Sequence, residues 1–321
     1  ILPSNQTPFY APTPVRKRTP VGALPGRFRR QRVLMVGCGD VGLRVVQALP
    51  ARVRVLALTA SADRVPELRV RGITPLVGNL DLPATLRRLA GLAHCVVHLA
   101  PPPGEGSLDP RTRSLLRALR LRQLPQALVY GSTSGVYGDC QGAVAMETRA
   151  ARARSARAGR RIDAEKLVRS FGRAAKVRVS ILRIPGIYAP NREGGTPRAR
   201  LLKGTPVLQA QDDVYTNHIH ADDLARTCLA ALWRGWPQRV YNVNDDTCLK
   251  MGDYFDLAAD LYGLPPPPRV TREQANAQLP AMQLSFMGES RRMDNTRMKR
   301  ELRLRLRYPT VVQGLMPLAG A

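Results

Sequence analysis

Three glycines that follow an apolar segment form the first pattern in this sequence with chemical meaning. They have the spacing G-x-G-x-x-G, come directly after the apolar residues 33–36, and precede a segment with helical apolar spacing. In this order of strand, turn and helix, backbone N–H groups and the positive end of the helix dipole can approach a diphosphate. The sequence therefore predicts a dinucleotide site at this turn. The expected contacts are Gly37, Gly39, Asp40, Val41 and Gly42.

The end of the second predicted strand, residues 52–58, bears on which dinucleotide binds. An Asp or Glu at this place holds the ribose 2′-hydroxyl of NAD, whereas an arginine accommodates the 2′-phosphate of NADP. Here Thr59 and Ser61 follow the strand, and Arg64 comes shortly after them. The missing carboxylate favours NADP over NAD. The alternative is that Ser61 caps a short helix and that Arg64 is a solvated side chain.

Alternating strands and helices predict the fold that must position these residues. Predicted strands at 73–77, 95–100 and 127–130 alternate with predicted helices at 82–92 and 112–124. Short links between such elements are typical of an α/β protein with a doubly wound parallel sheet, the Rossmann fold. Ligands bind at the carboxyl ends of such strands. Further cofactor contacts are therefore expected at Asn79, Leu80, Leu99, Ala100 and Pro101.

The composition of the sequence indicates which kind of protein this is. The 321 residues are 44% hydrophobic, which suits a globular chain with a sizeable core, and no apolar run is long enough to cross a membrane. Five scattered cysteines and four histidines show no zinc spacing, so we expect no metal, reduced thiols and a cytoplasmic protein.

The net charge of +26 raises the question of nucleic-acid binding. The arginines are spread over the whole chain and aromatic residues make up only 5%, which argues against a nucleic-acid site. Residues 1–30 are rich in proline and basic residues without an acid and are expected to form a flexible basic tail. RNA binding through this tail stays open as a weaker alternative.

Four further motifs resemble those of a known family, in the same order along the chain. They are Ser132-Thr133-Ser134-Gly-Val136-Tyr137-Gly138, Leu182-Arg183-Ile-Pro185-Gly186-Ile187-Tyr188-Ala-Pro190-Asn-Arg192, Asn217-His218-Ile-His220-Ala-Asp222-Asp223-Leu224 and Val240-Tyr241-Asn242-Val243. Together with the glycine turn, they resemble the extended short-chain dehydrogenases/reductases, the group of NAD-dependent epimerases and dehydratases. The G-x-G-x-x-G spacing points to an atypical subgroup.

The resemblance implies a reaction in which a hydroxyl and a tyrosine act on the substrate. Thr133 occupies the place of the family's catalytic Ser or Thr, which hydrogen-bonds the reacting oxygen. The family's acid/base is the Tyr of a Y-x-x-x-K motif, and Lys166 is the candidate lysine, assigned both to catalysis and to the nicotinamide ribose. Four residues before it stands Ile162 in place of the tyrosine. This leaves two hypotheses, an atypical oxidoreductase or epimerase acting on a nucleotide-sugar-like or other polar substrate, and a non-catalytic NAD(P)-binding sensor.

The resemblance also implies the remaining contacts and the division into domains. We expect a dinucleotide-binding domain at 31–184 and 216–244, a small, mostly helical substrate domain at 185–215 and 245–321, and a homodimer. The cofactor is assigned Pro185 and Ile187. The substrate is assigned Ser134, Tyr137, Glu147, Arg192 and His220.

Overall fold

The computed structural model describes residues 30–316, except for the side chains of residues 281, 282 and 286. The predicted basic tail, residues 1–30, lies outside the described part of the chain apart from Arg30. Residues 31–316 belong to one compact unit. No helix within the described residues is long and apolar enough to cross a membrane.

A parallel sheet of seven strands organises the described residues. In chain order, the strands are β1 Arg32–Val36, β2 Arg54–Thr59, β3 Thr74–Val77, β4 Cys95–His98, β5 Ala127–Thr133, β6 Val144–Ala145, β7 Arg178–Ile184, β8 Gly186–Tyr188, β9 Val207–Leu208, β10 Tyr215–Thr216, β11 His218–His220, β12 Arg239–Asn242, β13 Leu249–Lys250, β14 Arg269–Val270 and β15 Arg292–Met293. The large sheet has the order β12-β7-β5-β4-β1-β2-β3. The strand order therefore reverses between β1 and β4, where such folds open a crevice at the carboxyl ends of the strands.

Helices cover both faces of this sheet. In chain order, the α-helices of the described residues are α1 Asp40–Gln47, α2 Val65–Val70, α3 Pro110–Leu119, α4 Ala156–Ala175, α5 Arg198–Leu202, α6 Ala221–Arg234, α7 Met251–Tyr262, α8 Arg272–Gln278, α9 Ala281–Met287, α10 Thr296–Glu301 and α11 Val311–Leu315. Along β1, Val33 and Met35 pack with α1 and α6, whereas Leu34 and Val36 pack with α3 and α4. Strands that are apolar on both sides are typical of covered parallel sheets. The predicted doubly wound sheet is confirmed.

Two predicted helices differ from the observed ones. The segment predicted as a helix over 82–92 is a 3₁₀ helix at Pro83–Leu89. The helix predicted over 112–124 is α3, which begins two residues earlier and ends five residues earlier. It begins early because Asp109 accepts a hydrogen bond from the Thr112 N–H at 2.9 Å and Pro110 suits the first helical turn.

A second core lies among the elements that follow β7. Tyr254 and Phe255 of α7 pack there with Leu201 of α5 and Val311 of α11. The buried residues of helix α7 recur at helical spacing, and Gly263 ends it in the left-handed conformation, with φ +61°. This separate core supports the predicted substrate domain, although the proposed boundaries stay a prediction.

The two tryptophans of the chain lie near the carboxyl end of α6. The exposed fraction is 36% for Trp233 and 58% for Trp236. The guanidinium of Arg239 lies 5.9 Å from the centre of the Trp236 ring.

Candidate cofactor and active site

The glycine turn between β1 and α1 has the shape that a bound diphosphate requires. Gly37 has φ +94°, and a Cβ on it would lie 2.3 Å from the backbone nitrogen of Ala100. By contrast, no described atom lies within 4 Å of the position a Cβ would take on Gly39. No side chain among the described residues caps the first turn of α1. The turn therefore combines open space with free helix N-terminal N–H groups, which fits a dinucleotide diphosphate.

Thr59, Ser61 and Arg64 lie at the carboxyl end of β2, beside this turn. The Ser61 hydroxyl accepts a hydrogen bond from the Asp63 N–H at 3.2 Å and caps the short 3₁₀ helix Ala62–Arg64. Nη2 of Arg64 donates to the carbonyl oxygen of Cys38, at 2.9 Å. Ser61 is thus a helix cap, as the alternative held, whereas Arg64 contacts the glycine turn.

The other expected cofactor contacts follow β3 and β4, which flank β2 and β1 in the sheet. The N–H groups of Leu99 and Ala100 donate to the carbonyl oxygen of Val36, at 2.7 and 3.0 Å. This holds Leu99, Ala100 and Pro101 beside the turn. Asn79 lies in the loop after β3, where its side-chain oxygen accepts from the Asp81 N–H at 2.9 Å, and Leu80 is buried. All these positions share one edge of the sheet.

A cavity of about 560 Å³ lies between the carboxyl ends of β5 and β7 and the second core. It is bordered by Arg157 of α4, Arg200 of α5 and His218 of β11. Several predicted site residues are brought together in its lining: Thr133, Ser134, Pro185, Ile187 and Arg192. Arg192 also forms an ion pair with Asp40 of α1, so the cavity wall is tied to the helix after the glycine turn.

A buried ion pair fixes the strand that carries Thr133. The Ser132 hydroxyl donates to Oε1 of Glu165 at 2.6 Å, and Nη2 of Arg183 donates to Oε2 of the same carboxylate at 2.9 Å. Glu165 and Arg183 are both buried. This joins α4, β5 and β7 behind the cavity. Thr133, which is half-buried, stands at the end of that rigid strand and accepts a hydrogen bond from the Gly135 N–H at 3.3 Å.

Helix α4 presents arginines to β5 and to the cavity. Arg157, in its first turn, lines the cavity together with Thr133. One turn later, Nη1 of Arg161 donates to the carbonyl oxygen of Gly131 at 2.6 Å. Ile162 packs against a buried cluster formed by Val136, Tyr137, Cys140 and Ala145. Lys166, the candidate lysine, is exposed and is not among the residues that line the cavity.

Tyr137, Glu147 and His220 lie away from the cavity lining. The Tyr137 hydroxyl donates to Oδ1 of Asn242 at 2.6 Å, and burial raises the pKa of this tyrosine above its usual value. Oε1 of Glu147 accepts from the Asn242 N–H at 3.1 Å. His220 caps α6 by accepting from the Asp222 N–H at 3.2 Å. These side chains hold the elements around the cavity in place.

Arg200 and His218 are cavity residues that were not expected from the sequence and whose surroundings bear on binding. The guanidinium of Arg200 lies 4.4 Å above the Phe255 ring, burial lowers its pKa, and its Nε and Nη2 have no hydrogen-bond partner among the described residues. The ring of His218 stacks on Tyr254 at 4.1 Å, and burial lowers its pKa to about 4. The cavity thus contains an unpaired cation and a neutral imidazole. Nothing in the sequence distinguishes Arg200 from the other basic residues, of which the chain has 50 in all. His218, by contrast, lies within one of the motifs that resemble the family.

The described geometry agrees with the likeness to solved structures. A conserved protein of unknown function from Silicibacter pomeroyi DSS is 28% identical, with a TM-score of 0.71 over 89% of this chain and 96% of that one. MoeE5 in complex with UDP-glucose and NAD is 22% identical, with a TM-score of 0.70 over 88% and 96%. UDP-glucose 4-epimerase from Thermotoga maritima is 18% identical, with a TM-score of 0.72 over 89% and 96%. The last two likenesses show the fold alone.

Sequence comparison gives the family directly. No curated protein matches the chain significantly. Residues 33–244, more than half of the chain, match the NAD dependent epimerase/dehydratase family. This segment runs from β1, which leads into the glycine turn, to just past β12 and includes Thr133. The resemblance of the motifs is thereby confirmed, and the chain belongs to the NAD dependent epimerase/dehydratase family.

Proposed function

We propose that this protein is an NAD(P)-dependent oxidoreductase or epimerase that acts on a nucleotide-sugar-like substrate. The observation that carries the proposal is one cavity in which Thr133, at the end of β5, shares the wall with the unpaired guanidinium of Arg200. A partly buried cation without a counter-ion is costly in the free protein, so an anionic ligand complements it. A nucleoside diphosphate supplies such an anion.

The cofactor site supports NADP over NAD. The diphosphate would lie on the N–H groups of the first turn of α1, with Gly39 giving the room for it. Arg64 stands beside the turn, where it would meet a ribose 2′-phosphate, and no acid follows directly after β2. When bound, the dinucleotide supplies a hydride acceptor or donor.

The remaining cavity groups suit a polar substrate. Thr133 would hold the reacting oxygen with its hydroxyl. The imidazole of His218 is uncharged at neutral pH, so it adds a polar ring without a charge to the cavity wall. The second core around α5 and α7 would then act as the substrate domain. MoeE5 and the Thermotoga maritima enzyme, which share the fold, were both solved with UDP-glucose.

Calorimetry followed by a turnover assay tests this function. NADP⁺ is expected to bind the full chain more tightly than NAD⁺, and Arg64→Ala is expected to remove the difference. Cofactor reduction or epimerisation is then screened with UDP-sugars. Thr133→Ala is expected to lower the rate about 100-fold, and Thr133→Ser to retain most of it. Absence of binding for both dinucleotides would overturn the proposal.

A second function, a non-catalytic NAD(P)-binding sensor, has one specific observation in its favour. The ionisable side chain of α4 that lines the cavity is that of Arg157, and Arg161 one turn later donates to the backbone of β5; arginine does not exchange protons at ordinary pH. If the chain binds a dinucleotide but turns over no sugar nucleotide, and Thr133→Ala changes only ligand affinity, the sensor is the better description.

A further inference from the structure

Arg157 is an unpaired cation next to the hydroxyl that is expected to hold the substrate. It lies in the first turn of α4, is exposed to the cavity and forms no hydrogen bond or ion pair with any described residue. Ser155 caps the helix by accepting from the Ala158 N–H at 3.2 Å, which fixes the turn that carries Arg157. Both residues line the cavity together with Thr133.

The charges around Arg157 leave it available to a ligand. Glu289 is the acidic side chain that lines the same cavity, and its carboxylate pairs with Arg291 at 2.6 Å. Another cavity cation, Arg192, is paired with Asp40. Neither acid therefore neutralises Arg157.

The groups that surround this end of the cavity match the oxygens of a carboxylate. A guanidinium presents two parallel N–H donors, the arrangement that a carboxylate accepts best. Thr133 and Ser134 add hydroxyl donors in the same wall. A neutral sugar hydroxyl would leave the guanidinium without a counter-charge, so an acid sugar fits this wall better.

We propose that Arg157 binds the carboxylate of a sugar acid next to Thr133, so that the substrate is a nucleotide-linked sugar acid. The proposal rests on the proposed function, since it places the sugar at Thr133 and the diphosphate at Arg200. It assigns substrate specificity to the first turn of α4.

Two probes that differ only in the group concerned test this assignment. UDP-glucuronic acid carries a carboxylate on the carbon where UDP-glucose carries a hydroxymethyl group. Each is titrated calorimetrically into the full chain saturated with NADP⁺, at low and at high salt. We expect the acid to bind about tenfold more tightly or better, and this preference to persist at high salt because it comes from a direct contact.

Variants separate the direct contact from the general attraction of a positively charged chain. Arg157→Ala is expected to bring the two affinities to within about twofold of each other while UDP-glucose binding changes little. Arg157→Lys is expected to retain part of the preference, since it keeps the charge but loses the paired donors. Arg173→Ala removes one exposed cation from the last turn of the same helix and is expected to retain all of it.

Each outcome supports or overturns the assignment. Equal binding of the two probes to the wild type, a preference that survives in Arg157→Ala, or no binding of UDP-glucuronic acid would each overturn it. NADP⁺ binding is measured in the same samples. If NADP⁺ binds while the acid shows no preference, the inference about Arg157 fails and the proposed cofactor function stands; if neither NADP⁺ nor NAD⁺ binds, the proposed function itself fails.

Discussion

At the scale of single residues, Arg200 shows how a binding group differs from the many other arginines of this chain. Other described arginines form ion pairs, as Arg239 does with Glu301. Arg200 also lies over an aromatic ring, but it forms no ion pair with any described residue, and two of its nitrogens have no hydrogen-bond partner there. A cation in that position destabilises the free protein, and its attraction for a ligand anion is correspondingly strong.

Replacing Arg200 by methionine is expected to change stability and binding in opposite directions. The free energy of unfolding should rise, by about 1 kcal/mol, because an unsatisfied polar group is removed from a partly buried place. The affinity for UDP-glucose should fall about tenfold or more because the diphosphate loses its partner. Urea unfolding and calorimetry measure the two effects. As a control, Arg239→Met should destabilise the protein because it breaks an ion pair; a fall in stability for Arg200→Met as well would contradict this explanation.

At the scale of elements, the turn between β1 and α1 uses its glycines for different purposes. Gly37 is needed by the protein itself, since its positive φ and its approach to Ala100 leave no room for a side chain. Gly39 faces open space, so the protein folds equally well with a small side chain there.

Two alanine substitutions are expected to separate folding from cofactor binding. Gly37→Ala should destabilise the protein by about 2 kcal/mol or more, from strain and from the contact with the backbone after β4. Gly39→Ala should leave the melting temperature nearly unchanged and weaken NADP⁺ binding at least tenfold, because its Cβ takes the space of the diphosphate. Thermal unfolding with and without NADP⁺ distinguishes them. Undiminished NADP⁺ binding by Gly39→Ala would refute the placement of the diphosphate.

Packing between elements also explains why β5 ends so rigidly at the cavity. Glu165 of α4 bonds both Ser132 of β5 and Arg183 of β7 in a buried position. Loss of one partner of a buried pair leaves the other charge uncompensated.

Removal of the Glu165 carboxylate is expected to lower the free energy of unfolding far more than removal of an exposed carboxylate. Glu165→Ala should lower the free energy of unfolding by about 3–5 kcal/mol because Arg183 is left buried without a counter-charge. Glu67→Ala should lower the free energy of unfolding by about 0.5 kcal/mol or less, because it breaks only surface ion pairs with Arg64 and Arg71. Denaturant titration of both variants measures the difference. Equal costs would mean that the buried pair does not tie the three elements together.

At the scale of the whole molecule, a buried acid links the sheet to the second core. Asp245 follows β12, and its N–H donates to the carbonyl oxygen of His218 at 2.8 Å. Oδ1 accepts from the Thr247 N–H at 3.0 Å, whereas Oδ2 has no partner among residues 30–316. Burial raises the pKa of this carboxyl to about 7, which means that ionisation is unfavourable in the folded state.

Because its pKa is raised, Asp245 makes the stability of the folded protein depend on pH, and the direction of that dependence can be derived. Between its unfolded pKa near 3.8 and its folded pKa near 7, the folded state holds the proton more tightly, so stability from this group is lost as the pH rises. The free energy of unfolding of Asp245→Asn should therefore rise relative to that of the wild type by about 1.4 kcal/mol for each pH unit across this window. Above the window, the difference should stay constant. Urea unfolding at several pH values measures the difference between the two proteins. A difference that does not depend on pH would contradict the raised pKa.

The sequence predicted the parts of this molecule that depend on local patterns. The glycine turn and the parallel sheet follow from spacing within one segment, so Gly37 and Gly39 could be placed at the turn, whereas Thr133 came from the resemblance to the family. The face that α4 turns to the cavity was not predicted, because the residues of its first turns, Ala156–Arg161, contain no apolar stripe to set its orientation. Glu147 and His220 were expected at the substrate, but their partners come from distant segments and from the start of α6, which spacing alone does not reveal.

The exposed tryptophans determine how the binding experiments are best followed. Trp233 and Trp236 stand at the far end of α6, and neither lines the cavity at Thr133. Both indoles are partly exposed and lie away from that cavity, so substrate titrations should leave the intrinsic fluorescence almost unchanged. Heat of binding, or the emission of a reduced nicotinamide, is the signal that will follow occupancy of the site.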